Sequence, residues 1–178
     1  TRSEIFQRMC SRSRGPHDRL EVHEAAECAI AVARLDTDSG PDRIDTRTDP
    51  EVITARLGPC NPATVAQPGG SPLSPFAFRL PPFLPPPSAL ALYNGRDRSL
   101  TLVSDRYGFS PLCYTVREGR FLFASSAFAL FAAPGVSRLD DHAASDLLSF
   151  GHLLEDRTLV EGIHLLPPAT ILTWQDDR

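Results

Sequence analysis

Ala89-Leu90-Ala91-Leu92-Tyr93, Asn94-Gly95-Arg96-Asp97-Arg98 and Leu100-Thr101-Leu102-Val103 form the stretch that decides the fold. Two apolar runs flank an Asn-Gly pair, a strong hairpin signal because both residue types accept the positive φ of tight turns between twisted strands. The polar turn Asp105-Arg106-Tyr107-Gly108-Phe109-Ser110 leads to a second pair of runs, Pro111 to Val116 and Arg120 to Ala124, joined through Arg117-Glu118-Gly119. Four adjacent antiparallel strands are expected. Ser125 or Ser126 can then cap a short helix that ends near Pro134 and turns Ala127, Phe128, Leu130 and Phe131 toward a sheet. Asp140 caps a second helix, with Ala143, Ala144, Leu147 and Leu148 on one face until Phe150-Gly151. Thr158 to Leu166 and Ala169 to Trp174 read as extended segments around Pro167-Pro168. Helices laid on antiparallel strands give an α+β domain.

Upstream, Ile5, Phe6, Met9 and Cys10 share one helical face, and Arg14-Gly15-Pro16 ends that helix. Cys28 to Leu35 reads as a largely buried strand with Arg34 near its far end. Asp36 to Asp49 reads as loop. Pro50 to Leu57 can form two helical turns, with Asp49 as N-cap, proline at the first helical position and Gly58 as the stop. Ten of the 17 prolines fall between Pro59 and Pro87. Each removes a backbone donor and restrains its predecessor, so 59–87 is expected to be a proline-rich loop or polyproline II segment inside one domain spanning 1–178.

The 178 residues carry 18 Lys plus Arg against 22 Asp plus Glu, a formal net charge of -4, and no lysine at all. Lysine-dependent chemistry is excluded, and nucleic acid is a poor partner for a chain without a basic block. No apolar stretch approaches a membrane span. Thr1-Arg2-Ser3-Glu4 lacks a signal core and reads as a processing boundary, while the apolar run before Gln175 is expected to continue into a further domain. Cys10, Cys28, Cys60 and Cys113 show no CxxC spacing and are expected as mostly buried free thiols of a cytoplasmic protein. The five histidines, His17, His23, His142, His152 and His164, form no metal-ligand motif.

The order Asp105-Arg106-Tyr107-Gly108-Phe109-Ser110-Pro111-Leu112, Phe121 to Ser125, and Thr158-Leu159-Val160-Glu161-Gly162-Ile163 through Leu166-Pro167-Pro168-Ala169 resembles the N-terminal glutaminase domain of the asparagine synthase family, a class II glutamine amidotransferase. Arg14-Gly15-Pro16-His17-Asp18, Arg34-Leu35 and Thr48 to Ile53 resemble its earlier motifs. The resemblance implies an Ntn-hydrolase-like αββα sandwich, two antiparallel sheets with flanking helices, here contracted. It implies that Arg34 holds the glutamine carboxylate and Asp49 its ammonium group. Arg14, Gly15, Pro16, Asp105, Arg106, Gly108 and Pro111 are motif residues of structural role, with Asp105 and Arg106 read as a local turn-stabilising pair.

Departures from the family decide the expected activity. Thr1 stands where the family has its N-terminal cysteine, and Cys10 lies on the apolar face of a helix as a buried structural thiol. The family's Asn-Gly-Glu oxyanion loop has no counterpart, because Leu35 to Thr48 contains no Asn. Asn94-Gly95 reads as turn chemistry. Ser110 and Ser126 replace residues that are usually charged in the family. No catalytic residue, metal or cofactor is assigned to this segment. The resemblance implies a non-catalytic partner for a following ATP-pyrophosphatase synthetase domain or subunit that uses ATP and Mg to join a carboxylate to an amine, as in beta-lactam synthetases and lasso-peptide cyclases, on a peptide or amino-acid-derived substrate. The alternatives are a stand-alone scaffold or peptide-binding subunit without chemistry, and an active amidotransferase with an unusual nucleophile.

Overall fold

The computed structural model describes residues 2–13, 18–24, 29–35, 43–45, 52–57, 87–131, 134–136 and 138–175. In chain order these form α1 (Arg2–Ser13), β1 (Asp18–Glu24), β2 (Ala29–Leu35), β3 (Arg43–Asp45), β4 (Val52–Leu57), β5 (Ala89–Asn94), β6 (Ser99–Ser104), β7 (Cys113–Arg117), β8 (Arg120–Ala124), α2 (Ala127–Leu130), α3 (Asp141–Phe150), β9 (His164–Leu165) and β10 (Ile171–Gln175). They fall into two compact units. One gathers Thr1–Leu20, Ala33–Asp38 and Pro111–Pro167, the other Glu21–Val32, Ser39–Ser110 and Pro168–Arg178.

A five-stranded antiparallel sheet in the order β10-β6-β5-β4-β3 organises the second unit. Strand β5 lies at its centre and all six of its residues are buried, so it reads as a continuous apolar run rather than an alternating one. The expected hairpin pairs Ala89 with Ser104 and Asn94 with Ser99. Strand β10 closes the other side of β6, and the Thr101 and Thr173 hydroxyls meet at 3.2 Å across that pair. Its burial alternates, Leu172 and Trp174 half-buried between exposed neighbours, as befits a sheet edge.

The expectation of helix over Pro50 to Leu57 is corrected: Val52–Leu57 is strand β4, paired with β5 from Val52↔Asn94 to Leu57↔Ala89. The β-branched Val52-Ile53-Thr54 favours extended backbone, and apolar Ile53, Ala55 and Leu57 alternate with polar Thr54 and Arg56, the period of a strand. Strand β3 likewise lies inside the stretch expected as loop, paired with β4.

The first unit is built on a three-stranded sheet in the order β8-β7-β9. The two hairpins thus belong to different sheets, a correction to four adjacent strands. Between β7 and β8 the two-residue turn Glu118-Gly119 has φ of 52° and 71°, the left-handed pair that matches strand twist. Cys113, Leu130, Val136, Val160 and Ile163 form the core of this unit, with Met9 of α1 and Leu122 and Ala124 of β8 packed against it. Ser126 caps α2, its hydroxyl accepting the Phe128 N–H at 3.3 Å. That helix buries Ala129 and Leu130, while Phe128, expected to face the sheet, is exposed.

Asp140 caps α3 through the Ala143 N–H at 2.9 Å, and Gly151 ends it in the left-handed conformation, as expected. Its burial differs from expectation: Ala143 is buried, whereas Leu147 is 39% and Leu148 89% exposed. Only the first turn of the helix meets the core. Cys10, expected to be buried, is half-buried beside Met9, and Cys113 is buried; both are free thiols. Cys28, Cys60 and all of 59–87 except Pro87 lie outside the described residues. The five-stranded and three-stranded antiparallel sheets with their helices match the α+β, Ntn-hydrolase-like αββα class. No described helix is long and apolar enough to cross a membrane.

Candidate functional site

The motif loop after β6 is built around one carboxylate. Asp105 is fully inaccessible to solvent, and its two oxygens accept four backbone N–H groups. Oδ1 takes those of Tyr107 at 2.8 Å and Phe109 at 3.3 Å; Oδ2 takes those of Ser88 at 3.1 Å and Ser110 at 3.3 Å. Burial alone would raise the Asp105 pKa, but these donors outweigh it and hold the carboxyl below its ordinary value. The main chain of Asp105 is equally engaged. Its N–H donates to the Ser88 carbonyl at 3.1 Å, and its own carbonyl accepts from Gly108 at 3.3 Å and Ala169 at 2.9 Å.

Gly108 is required at its place in this loop. Its φ is 68°, and an added Cβ would lie 3.1 Å from the Pro168 side chain. Arg106 is exposed, with its guanidinium carbon 5.8 Å from the Tyr107 ring centroid. Four backbone amides thus serve the Asp105 carboxylate. A buried carboxylate engaged by four donors is an organiser of loop shape, not a base aimed at substrate.

A second motif, Thr158 to Leu166, folds back on β7. The Thr158 hydroxyl donates to the Ile163 carbonyl at 2.9 Å and accepts the Val160 N–H at 3.2 Å. Thr115 donates to the Gly162 carbonyl at 2.6 Å, and Arg117 Nη2 to the Glu161 carbonyl at 3.2 Å. The Arg117 guanidinium lies where a Cβ on Gly162 would go, and Gly162 has φ of 74°, so any other residue there is strained and displaces the guanidinium. Beyond it, His164 Nδ1 lies 3.1 Å from Asp156 Oδ2, and the His164 and Tyr114 ring centroids are 5.5 Å apart. Burial and then the Asp156 carboxylate push the Tyr114 hydroxyl pKa up. The pair fixes the imidazole and ties β9 to the preceding loop, where the Leu165 N–H donates to the Asp156 carbonyl at 2.7 Å.

Of the residues expected to bind glutamine, Arg34 lies in β2 with its side chain outside the described set, and Asp49 lies outside it altogether, as do Arg14, Gly15 and Pro16. Pro111 is exposed at the entry to β7. Asn94 is buried in the hairpin, its carboxamide oxygen accepting the Arg96 N–H at 3.0 Å, which is the turn role expected for it. Among the described residues no group of three or more His, Cys, Asp and Glu side chains could hold a metal ion. Ser88 and Pro168 both complete the Asp105 loop; Pro168 stood in the sequence only as part of the Thr158 to Ala169 motif, and Ser88 had no signal at all.

No curated protein matches the chain. Residues 88–178, half of the chain, match the family described as "Glutamine amidotransferase domain", and this span runs from Ser88 and β5 through the Asp105 loop to β10. By that match the chain belongs to the glutamine amidotransferase domain family, class II-like and consistent with the Ntn-hydrolase-like fold described above.

Proposed function

We propose that this chain is a glutaminase-type domain that has lost glutamine hydrolysis and serves an ATP-dependent amide-forming ligase of asparagine-synthase-like type. The observation that carries the reading is the β3–β4 pair. Where the resemblance expects an Asn-Gly-Glu oxyanion loop followed by a helix headed by the ammonium-binding Asp49, the chain has Arg43–Asp45 paired with Val52–Leu57, and 35–48 contains no Asn. Hydrolysis of an amide needs donors aimed at the tetrahedral oxyanion, and losing one such donor costs about 10²–10³ in rate. The Asn-Gly pair elsewhere in the chain is committed to a hairpin. Arg34 and Asp49 are then vestiges of a glutamine site. In this reading ATP and Mg belong to a synthetase domain or subunit, which activates a carboxylate of a peptide or amino-acid-derived substrate and takes an amine other than glutamine-derived ammonia.

Ammonia release from glutamine by the purified chain tests the reading. Release at the uncatalysed rate, together with amide formation by the complete ligase without glutamine, is the expected result. Glutamine turnover well above background overturns it.

A further inference from the structure

One carboxylate carries both an aromatic loop and the end of the proline-rich stretch. Asp105 Oδ1 accepts the N–H groups of Tyr107 and Phe109, and Oδ2 accepts that of Ser88, the residue that follows Pro87. The Ser88 carbonyl accepts the Asp105 N–H at 3.1 Å, which continues the β5–β6 register by one pair and brings Pro87 up to Arg106. All of these residues belong to the second unit. With both amides fixed, Tyr107 and Phe109 hold their rings 5.6 Å apart at 42° to each other, and the two residues are 58% and 67% exposed. The Arg106 guanidinium carbon, 5.8 Å from the Tyr107 ring centroid, extends the same platform. Two aromatic rings and an arginine left in water on a loop this firmly held have the composition of a recognition site.

We propose that this aromatic pair is the docking site of the chain's own proline-rich run, Pro81-Pro82-Phe83-Leu84-Pro85-Pro86-Pro87, in polyproline II form. Two observations favour this occupant. The first is where the run ends. Residues 58–86 lie outside the described residues, and the chain rejoins them at the exposed Pro87. A polyproline II run advances about 3.1 Å per residue, so Pro86 and Pro85 come within about 6–9 Å of Ser88. Tyr107 lies within that reach, because its N–H and that of Ser88 share the Asp105 carboxylate. The second is chemistry. Five of the seven residues are proline, the other two are Phe83 and Leu84, and none is charged. Proline rings pack on aromatic faces, and proline offers only carbonyls for hydrogen bonding, which a tyrosine hydroxyl can serve. The stiff run loses little entropy on docking, and a tether this short gives an effective concentration in the millimolar range, so an intrinsic Kd of about 1 mM is enough to occupy the site. This inference is independent of the amide-ligase reading.

Nuclear magnetic resonance on the full purified chain tests it. The expected result is nuclear Overhauser contacts between the Tyr107 or Phe109 ring and the ring protons of Pro85 or Pro86; their absence refutes the proposal. A synthetic peptide with the sequence of residues 80–87 supplies the second measurement. In a chain carrying Pro82→Ser, Pro85→Ser and Pro86→Ser the peptide should shift the Tyr107 resonances with a Kd of about 1 mM or tighter, and the native chain should need at least about tenfold more peptide for the same shift. Adding Tyr107→Ala, a change at an exposed position, should weaken peptide binding to the serine variant at least about tenfold, read from the Phe109 resonances. Equal titration of the native chain and the serine variant refutes docking within the chain and leaves the aromatic pair to an outside partner. A serine variant that takes up no peptide at about 10 mM, or binds it equally well after Tyr107→Ala, refutes the proposal as well.

Discussion

Replacing Asp105 by Asn probes a loop that lies within the family match. The carboxylate serves four N–H donors, two on each oxygen, at 2.8–3.3 Å. Asn keeps one acceptor oxygen, so two of the donors lose their partner and face an amide NH2 instead. Hydrogen bonds to a charged acceptor contribute about 1.5–3 kcal/mol each, and because the loop residues Tyr107 and Phe109 are exposed, local opening of the loop lets water replace part of what is lost. The expected cost is therefore about 3 kcal/mol. In a urea titration with a slope of about 2 kcal/mol/M this shifts the midpoint down by about 1.5 M. The native chain carries a pH signature that the variant lacks. Because the folded-state pKa is below the ordinary 3.8, the unfolded chain binds a proton between the two values and the folded chain does not. The stabilisation is fully present above about pH 5 and is lost as pH falls through the folded-state pKa. A midpoint shift below about 0.5 M, with the acid dependence of the native chain retained, would show that the carboxylate is not what holds the loop.

Ala169 has φ of 54° in an exposed position, where its N–H still reaches the Asp105 carbonyl. Ala169→Gly relieves a left-handed strain of about 1 kcal/mol while adding unfolded-state entropy, so a net gain of about 0.5 kcal/mol and a melting temperature 1–2 °C higher are expected; a fall in melting temperature counts against the strain. Leu130→Ala, in the fully buried core of the first unit, is expected to cost about 2–5 kcal/mol, whereas Leu147→Ala is expected to cost less than about 1 kcal/mol, both read from urea midpoints. Equal losses at the two positions would mean that α3 is packed along its whole length.

The hairpins were legible because two independent cues agreed, apolar runs of strand length and turn residues such as Asn94-Gly95 and Gly119 between them, although of these only Gly119 takes a positive φ and in the first turn Arg98 does so instead. Where cues conflicted, local punctuation misled. Asp49, Pro50 and Gly58 read as the start and stop of a helix, yet Val52–Leu57 pairs along its whole length with β5, more than 30 residues on, which no local window can see. Helix α3 was legible in its caps and period, but the same spacing serves a core face and an exposed one, so the fate of Leu147 and Leu148 was not. At the site, Asp105 and Gly108 stood out by type and order. What they bond to did not, since the donors are backbone amides that every residue possesses and Ser88 joins them from 17 residues away.

The pairing of β6 with β10 also bears on how the chain is made. Thr101 and Thr173, cross-strand neighbours in that pair, are 72 residues apart, and synthesis at about 5–20 residues per second separates their emergence by roughly 4–14 s. The β5–β6 hairpin can close within microseconds of leaving the ribosome. For seconds afterwards the outer edge of β6, Ser99–Ser104, waits without the strand that will cover it, an interval in which nascent chains can join edge to edge. Slower translation lengthens that interval, so codon choice between these two strands is a lever on soluble yield that leaves the folded protein unchanged.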